Sequence, residues 1–191
     1  MSQTLFTDLD DADRFVGVPG LSYHGDFISA NEEVDLVEHL RELPFRNFEF
    51  HGYLGNRRTV SYGWKYDFGQ EKPFRADAIP DFLNPLRDRS AHFAGLRPDA
   101  LEQVLVSEYA PGAGIGWHSD KTVFGDVIGI SLLSACRFRL RRKVGAKWRR
   151  ASFTAEQCSV YRMRGEARES WQHSIPSMDR LRYSITFRSL R

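Results

Sequence analysis

Cysteine is nearly absent from this chain of 191 residues, which holds only Cys136 and Cys158. Neither sits at a metal-binding spacing and two cannot build a disulfide framework, so both are read as reduced structural thiols. Long apolar runs are missing too. No stretch approaches the ~20 apolar residues needed to span a bilayer, and the opening MSQTLFTDLDDADRF is acidic where a secretory leader would be basic and then apolar. A soluble, cytoplasmic protein without membrane contact is expected. Repeats, low-complexity segments and an interdomain linker are also lacking, which excludes solenoids and leaves a chain that is 41% hydrophobic to build one core. A single domain over 1–191 is expected, acting as a monomer, with 1–20 a loosely ordered acidic arm.

Charge of each sign is missing from one part of the chain. Residues 1–45 hold ten acids against Arg14 and Arg41, a net −8, although the whole chain is only +2. RFRLRRKVGAKWRR, residues 137–150, carries eight basic residues and no acid. Such asymmetry points to a polyanionic partner. A solvated arginine-rich hairpin would read the same way.

The chain gives helix signals first and strand signals later. SANEEVDLVEHLREL has Ser29 three residues before Glu32, a capping-box spacing, followed by an apolar stripe of Val34, Val37 and Leu40 with Leu36 and Leu43 beside it. A second helix is predicted from about Asp81 to Phe93, closed by Gly95, with Pro85 delaying its start. Beyond residue 103 come QVLVSEY, DVIGISLLS, RFRLRR, WRRASFT, CSVYRM and LRYSITFR, separated by turn residues. Helices followed by many short strands mean α+β, or a β-sandwich with helices on one face.

Within the strand-rich half, APGAGIGWHSD sets His118 and Asp120 one residue apart after a glycine-rich run. In an extended segment both side chains project to one side while Ser119 points away. His173, in SWQHSIP, is the histidine that lies between two predicted strands of the same half. Two histidines and a carboxylate leave three open positions on an octahedral ion, the arrangement of non-haem Fe(II) oxygenases. A surface pair after a turn would show the same spacing. In LRYSITFR, Leu181, Tyr183, Ile185 and Phe187 form an apolar face, and Arg182, Ser184, Thr186 and Arg188 a polar one. The two arginines stand roughly 20 Å apart along the strand, so their forks could each hold one carboxylate of 2-oxoglutarate. A strand with its charged face in solvent is the alternative.

Together these residues resemble the AlkB-like Fe(II)/2-oxoglutarate dioxygenases, which oxidatively remove alkyl groups from nucleic-acid bases. The likeness runs from GLSYHGDFIS to the C-terminus, and its core is EYAPGAGIGWHSD, then WQHSIP, then RYSITFR. It implies an α+β chain folded as a double-stranded β-helix, or jelly roll, with N-terminal helices packed on one face. It further implies that His118, Asp120 and His173 bind Fe(II), that Arg182 holds the remote carboxylate of 2-oxoglutarate, and that Arg188 lies near its metal-bound end. Tyr109 matches a tyrosine that hydrogen-bonds the cosubstrate. Ser107 and Ser184 stand where many members carry asparagine. With O2, the expected products are succinate and carbon dioxide, and an N-methyl group would leave as formaldehyde in DNA or RNA alkylation repair.

Residues 51–68, HGYLGNRRTVSYGWKYDF, resemble the family's nucleotide-recognition lid. Alternation sets Tyr62, Trp64 and Tyr66 on one face, with Trp64 and then Tyr66 as the expected stacking residues and Arg57 and Arg58 as phosphate contacts. Arg137, Arg139 and Arg141 alternate onto one strand face and would contact phosphates beside the mouth. One departure bears on the substrate: base-repair members commonly place an acid two residues after the metal aspartate, and Thr122 stands there. An oxygenase that modifies RNA or a protein side chain is therefore the alternative. A non-catalytic binding module is a further one, which the intact metal and arginine positions argue against.

Overall fold

The computed structural model describes residues 17–50, 53–67 and 72–191. Most of the expected acidic arm, and residues 51, 52 and 68 of the expected lid, lie outside the described residues.

Helix α1 (Ala30–Arg41) begins where the capping box requires: Ser29 Oγ accepts from the Glu32 backbone at 3.2 Å, and Glu32 accepts from the Ser29 backbone at 2.9 Å. Such caps are worth about 1 kcal/mol. Its buried face departs from the expected stripe. Val37 and Leu40 are buried, but Val34 is 56% exposed and Glu33 is buried in its stead. Glu33 accepts from the Leu133 backbone at 2.7 Å and from the Gln157 side chain, so a carboxylate replaces an aliphatic contact on that face. Helix α2 (Asn84–Ala94) follows a short 3-10 turn over Asp81–Leu83, because Pro85 suits only the first turn of an α-helix. Gly95 ends it in the left-handed region at φ 66°.

The strands are β1 (Leu21–His24), β2 (Arg46–Phe50), β3 (Tyr53–Tyr62), β4 (Trp64–Asp67), β5 (Lys72–Arg75), β6 (Leu101–Tyr109), β7 (Ile115–His118), β8 (Phe124–Leu132), β9 (Cys136–Val144), β10 (Lys147–Ala155), β11 (Val160–Met163), β12 (Gln172–Ile175) and β13 (Arg182–Leu190). A short helix α3 (Gly165–Glu169) precedes β12. Every pairing is antiparallel. One sheet runs β1-β11-β8-β13-β6-β3-β2, a second runs β10-β9-β12-β7, and β4 and β5 form a separate hairpin. This is the jelly roll expected, with helices on one face.

Two apolar clusters follow from strand alternation. Tyr183, Ile185 and Phe187 of β13 pack with Val37, Leu40 and Leu86 of the helices on one side of the larger sheet. Tyr109, Val127, Tyr161 and Met163 on its other side meet Phe138, Leu140 and Ile175 of the smaller sheet. Each fully buried aliphatic or aromatic side chain contributes about 1.5–3 kcal/mol relative to leaving it in water. The polar face of β13 points into this second interface, not into solvent: Arg182 is 0% exposed and Arg188 9%. Among the described residues no helix is long and apolar enough to cross a membrane.

Candidate active site

Between the two sheets, β7 and β12 run side by side with His118 and His173 as direct cross-strand partners. Their rings lie 4.1 Å apart between centroids. Strand β7 ends at His118, and Asp120 swings in from the following loop while Ser119 is exposed. Asp120 Oδ2 then stands 3.8 Å from His173 Nε2. Arg168, buried on α3, holds that loop by donating to the backbone carbonyls of Lys121 and Phe124.

The protonation states suit a ligand set. His118 donates Nδ1–H to the Gly116 carbonyl at 2.9 Å, which leaves Nε2 as an acceptor. Burial lowers its pKa, and burial together with the neighbouring His118 brings that of His173 down to about 3. Both imidazoles are neutral at pH 7, the form that binds metal. Burial alone would raise the Asp120 carboxyl, but Arg188 and the two histidines outweigh it and hold the group well below the usual carboxylate range. Arg188 donates to Asp120 Oδ1 at 2.8 Å and to Gln103 Oε1 at 3.0 Å.

Among the described residues two sets of buried polar atoms lack partners here. Asp120 Oδ2 accepts no hydrogen bond, and neither terminal nitrogen of Arg182 has an acceptor, although Arg182 Nε is fixed on Ser131 Oγ at 2.9 Å. Buried polar groups are nearly always satisfied, and an unpaired buried guanidinium is costly. Among the described residues no group of three His, Cys, Asp or Glu side chains is already closed around one ion position. What stands ready is a carboxylate oxygen turned toward a neutral imidazole, and a fully buried cation that lacks its anion. Iron fits the first and a dicarboxylate fits the second. Ser107, Tyr109, His118, Asp120, His173 and Ser184 line one common pocket between the sheets. Arg182 faces Tyr109, and Ser184 faces Ser107, across β13 and β6.

Some expected residues fall elsewhere. Tyr62 does not share a face with Trp64 and Tyr66. Gly63 interrupts the strand at φ 77°, and Tyr62 is buried in the helix-side core. Arg57 is 7% exposed and lines the cavity wall, its guanidinium 5.9 Å from the Tyr109 ring, so it is not a surface phosphate contact. Arg58 is tied to Glu108 through two hydrogen bonds of 2.7 and 2.9 Å, which commits one edge of its guanidinium to the fold. Arg188 braces Asp120 and does not offer a second open fork. Arg137, Arg139 and Arg141 do share one face of β9, but by alternation it is the face opposite His173. Trp64 and Tyr66 lie on the β4–β5 hairpin, with Arg75 over Trp64 at 5.3 Å and Lys121 Nζ over Tyr66 at 5.0 Å. Cys136 and Cys158 are buried and free.

Sequence reasoning missed Ser131, Gln103, Arg168 and Phe138, whose ring stacks on His173 at 5.3 Å and 11°. Phe138 was within reach, since it alternates inward with Cys136 and Leu140. Nothing local marks the other three. Their roles depend on which strand or loop lies opposite.

A model of the 2OG-Fe(II) oxygenase superfamily matches residues 20–188. An Arabidopsis thaliana protein named "Alkylated DNA repair protein ALKBH8 homolog" is 27% identical over 94% of this chain and 58% of its own length. A Mus musculus protein named "tRNA (carboxymethyluridine(34)-5-O)-methyltransferase ALKBH8" is 26% identical over 82% of this chain and 24% of its own. The chain thus spans only part of these curated relatives. The solved structure of OsALKBH1 superposes with a TM-score of 0.65 at 17% identity, over 90% of this chain and 97% of that one, and shows the same fold.

Proposed function

The chain belongs to the 2OG-Fe(II) oxygenase superfamily as an AlkB-like dioxygenase that uses Fe(II), 2-oxoglutarate and O2, and from that premise we propose that it oxidatively demethylates N-alkylated bases in nucleic acid. The observation that carries this substrate class is the link between hairpin and metal site: Lys121, next to Asp120, lies over the Tyr66 ring, which ties the aromatic hairpin to the loop that carries Asp120. Aromatic faces can stack on a base taken out of its strand.

In this reading His118, Asp120 and His173 hold iron, and Arg182 takes the remote carboxylate of 2-oxoglutarate in the fork that has no other acceptor. Arg188 keeps Asp120 ionised and oriented. Tyr109, Ser107 and Ser184 offer hydroxyls to the cosubstrate, and Trp64 and Tyr66 stack on the base. When bound, iron and 2-oxoglutarate supply the oxidising power that hydroxylates a substrate C–H bond while 2-oxoglutarate becomes succinate and carbon dioxide. The chain's own part is orientation: a methyl group must be held against the site while water is kept from it. Cytoplasmic action as a monomer belongs to the same proposal.

Thr122 favours a second reading beside this one. It is exposed two residues after Asp120, where an acid would accept a hydrogen bond from an exocyclic amine, and in this second reading the substrate is a modified RNA base and not a repair lesion. The relatives' names, one for DNA repair and one for tRNA, support keeping RNA beside DNA. Methylated RNA and DNA oligonucleotides assayed for formaldehyde release, with succinate formation in step, test both. Formaldehyde from RNA alone favours the second reading. Absence of formaldehyde from every oligonucleotide, with active 2-oxoglutarate turnover, sinks both.

A further inference from the structure

The four-stranded sheet has faces of opposite character. Its inner face carries Phe138, Leu140 and His173. Its outer face carries Trp117, Arg137, Arg139, Arg141, Trp148 and Arg150, and no acid occupies an outward position on these strands. Arg150 stands directly opposite Arg141, a like-charge pairing that destabilises a sheet. Among the described residues none of Arg137, Arg139, Arg141, Lys143 and Arg150 has a carboxylate partner. Surfaces ordinarily intersperse the two signs.

These arginines are also held in place. Arg139 donates through Nε to Ser174 Oγ at 3.1 Å, and Arg141 through Nε to Gln172 Oε1 at 2.8 Å. Both guanidinium groups lie over the Trp117 ring, at 5.2 and 4.5 Å, and Arg141 also lies over Trp148 at 4.3 Å. Each uses one N–H on a neutral acceptor, Arg139 stacking on one indole and Arg141 on two, which leaves the terminal nitrogens of both for a ligand. Guanidinium forks match phosphate oxygens in pairs. Along β9 the step from one arginine to the next is about 6.6 Å, so the row is a regular repeat suited to a polymer of phosphates, not to one ion.

We propose that this outer face is a sequence-blind seat for a single strand of nucleic acid, on the side of the sheet opposite His173 and separate from the pocket that takes the modified base. Arg137, Arg139, Arg141 and Arg150 contact the phosphates, and Trp148, 38% exposed, offers a ring edge to a neighbouring base. The seat rests on the nucleic-acid reading above but makes its own demand: it binds strands that carry no modification.

The test uses unmodified 12-nucleotide strands of RNA and of DNA, and phosphatidylserine vesicles, over a salt series. Wild type is expected to bind one or both strands, with affinity falling steeply as salt rises. In R139Q/R141Q the slope of log affinity against log salt should fall by about 1.4, roughly 0.7 for each lost contact to a single strand. R137Q/R150Q removes exposed cations without disturbing the indole stack, and should lower the slope likewise even if the first variant melts early. An unchanged slope in both variants, no strand binding by wild type, or binding to vesicles alone would overturn the seat. Strands held with the expected slope but never oxidised would sink the demethylation reading and leave the seat standing. Turnover of a methylated strand with a slope indifferent to both variants would do the reverse.

Discussion

The intersheet site and the β4–β5 hairpin are held by unlike means. Around the site, β13 is paired on both sides, with β6 and with β8, along almost its whole length, and Arg182 and Asp120 are fixed by Ser131 and Arg188. Among the described residues the hairpin has four cross-strand pairs and no third strand, and a lone two-stranded ribbon is marginally stable. At its base Gly63 donates to Asp77 at 2.6 Å and accepts from Ala76 at 3.1 Å. In the proposed reading, chemistry that must be the same at every turnover is set between the two sheets, and contact with a variable substrate is left to the ribbon.

Substitutions on the two sides should therefore fail differently. The largest effect is expected for His173→Ala: coupled succinate formation should fall by more than about 100-fold, beyond the loss usual for a residue that only supports a ligand, while the melting temperature stays near wild type. Asp120→Ala should match that loss and also unfold more readily, because Arg188 is left buried without its anion, a change that costs about 3–5 kcal/mol. Equal melting temperatures for the two variants, by calorimetry, would contradict the brace assigned to Arg188.

Next in size, Arg182→Ala should weaken 2-oxoglutarate by about 2–5 kcal/mol, the usual loss when one partner of a buried charge pair is removed, with little change in oligonucleotide affinity. Titration calorimetry with 2-oxoglutarate checks it, and a change under twofold would remove the residue from that role. Trp64→Ala belongs to the other region. It should lower turnover of a methylated strand by about 1–3 kcal/mol and leave the Michaelis constant for 2-oxoglutarate unchanged. A shifted constant would mean that ribbon and sheet are not separable.

The smallest effect concerns Arg58, expected from sequence on the substrate side and found on the structural one. Burial would raise the Glu108 carboxyl, but hydrogen bonds from Arg58 and Tyr183 prevail and lower it. A carboxyl lowered on folding stabilises the protein fully above its unfolded pKa, and that contribution disappears as pH falls through its folded value. Arg58→Gln should thus cost about 1 kcal/mol at pH 7, the scale of a half-exposed pair, and the difference from wild type should shrink as pH falls below the ordinary carboxylate range. A constant difference from pH 7 to acid, in denaturant melts, would refute the pair.

Most of the site was legible because it follows a period. Arg182, Ser184 and Arg188 alternate along one strand, and His118 and His173 end up as partners in neighbouring strands of one sheet. The failures begin where a period is interrupted or a partner is remote. Gly63 cuts the alternation that would have joined Tyr62 to Trp64. Arg58 looks like a free cation until β3 is laid against β6 and Glu108 comes opposite. Glu33 occupies an apolar helix face because the Leu133 backbone and Gln157, a hundred residues and more away in sequence, bring donors to it.

A side chain at position 63 would drive its first carbon to 2.0 Å from the Glu102 carbonyl oxygen, in a backbone region that L-residues avoid. Gly63 is therefore a fixed joint at the foot of the β4–β5 hairpin, pinned by its two bonds to Ala76 and Asp77. Such a joint makes the segment exchangeable. If the ribbon holds the substrate as proposed, a descendant gene that lengthens, shortens or replaces it acquires a new substrate and inherits the oxidising centre untouched, and grafting a relative's ribbon between positions 63 and 76 is the laboratory form of the same event.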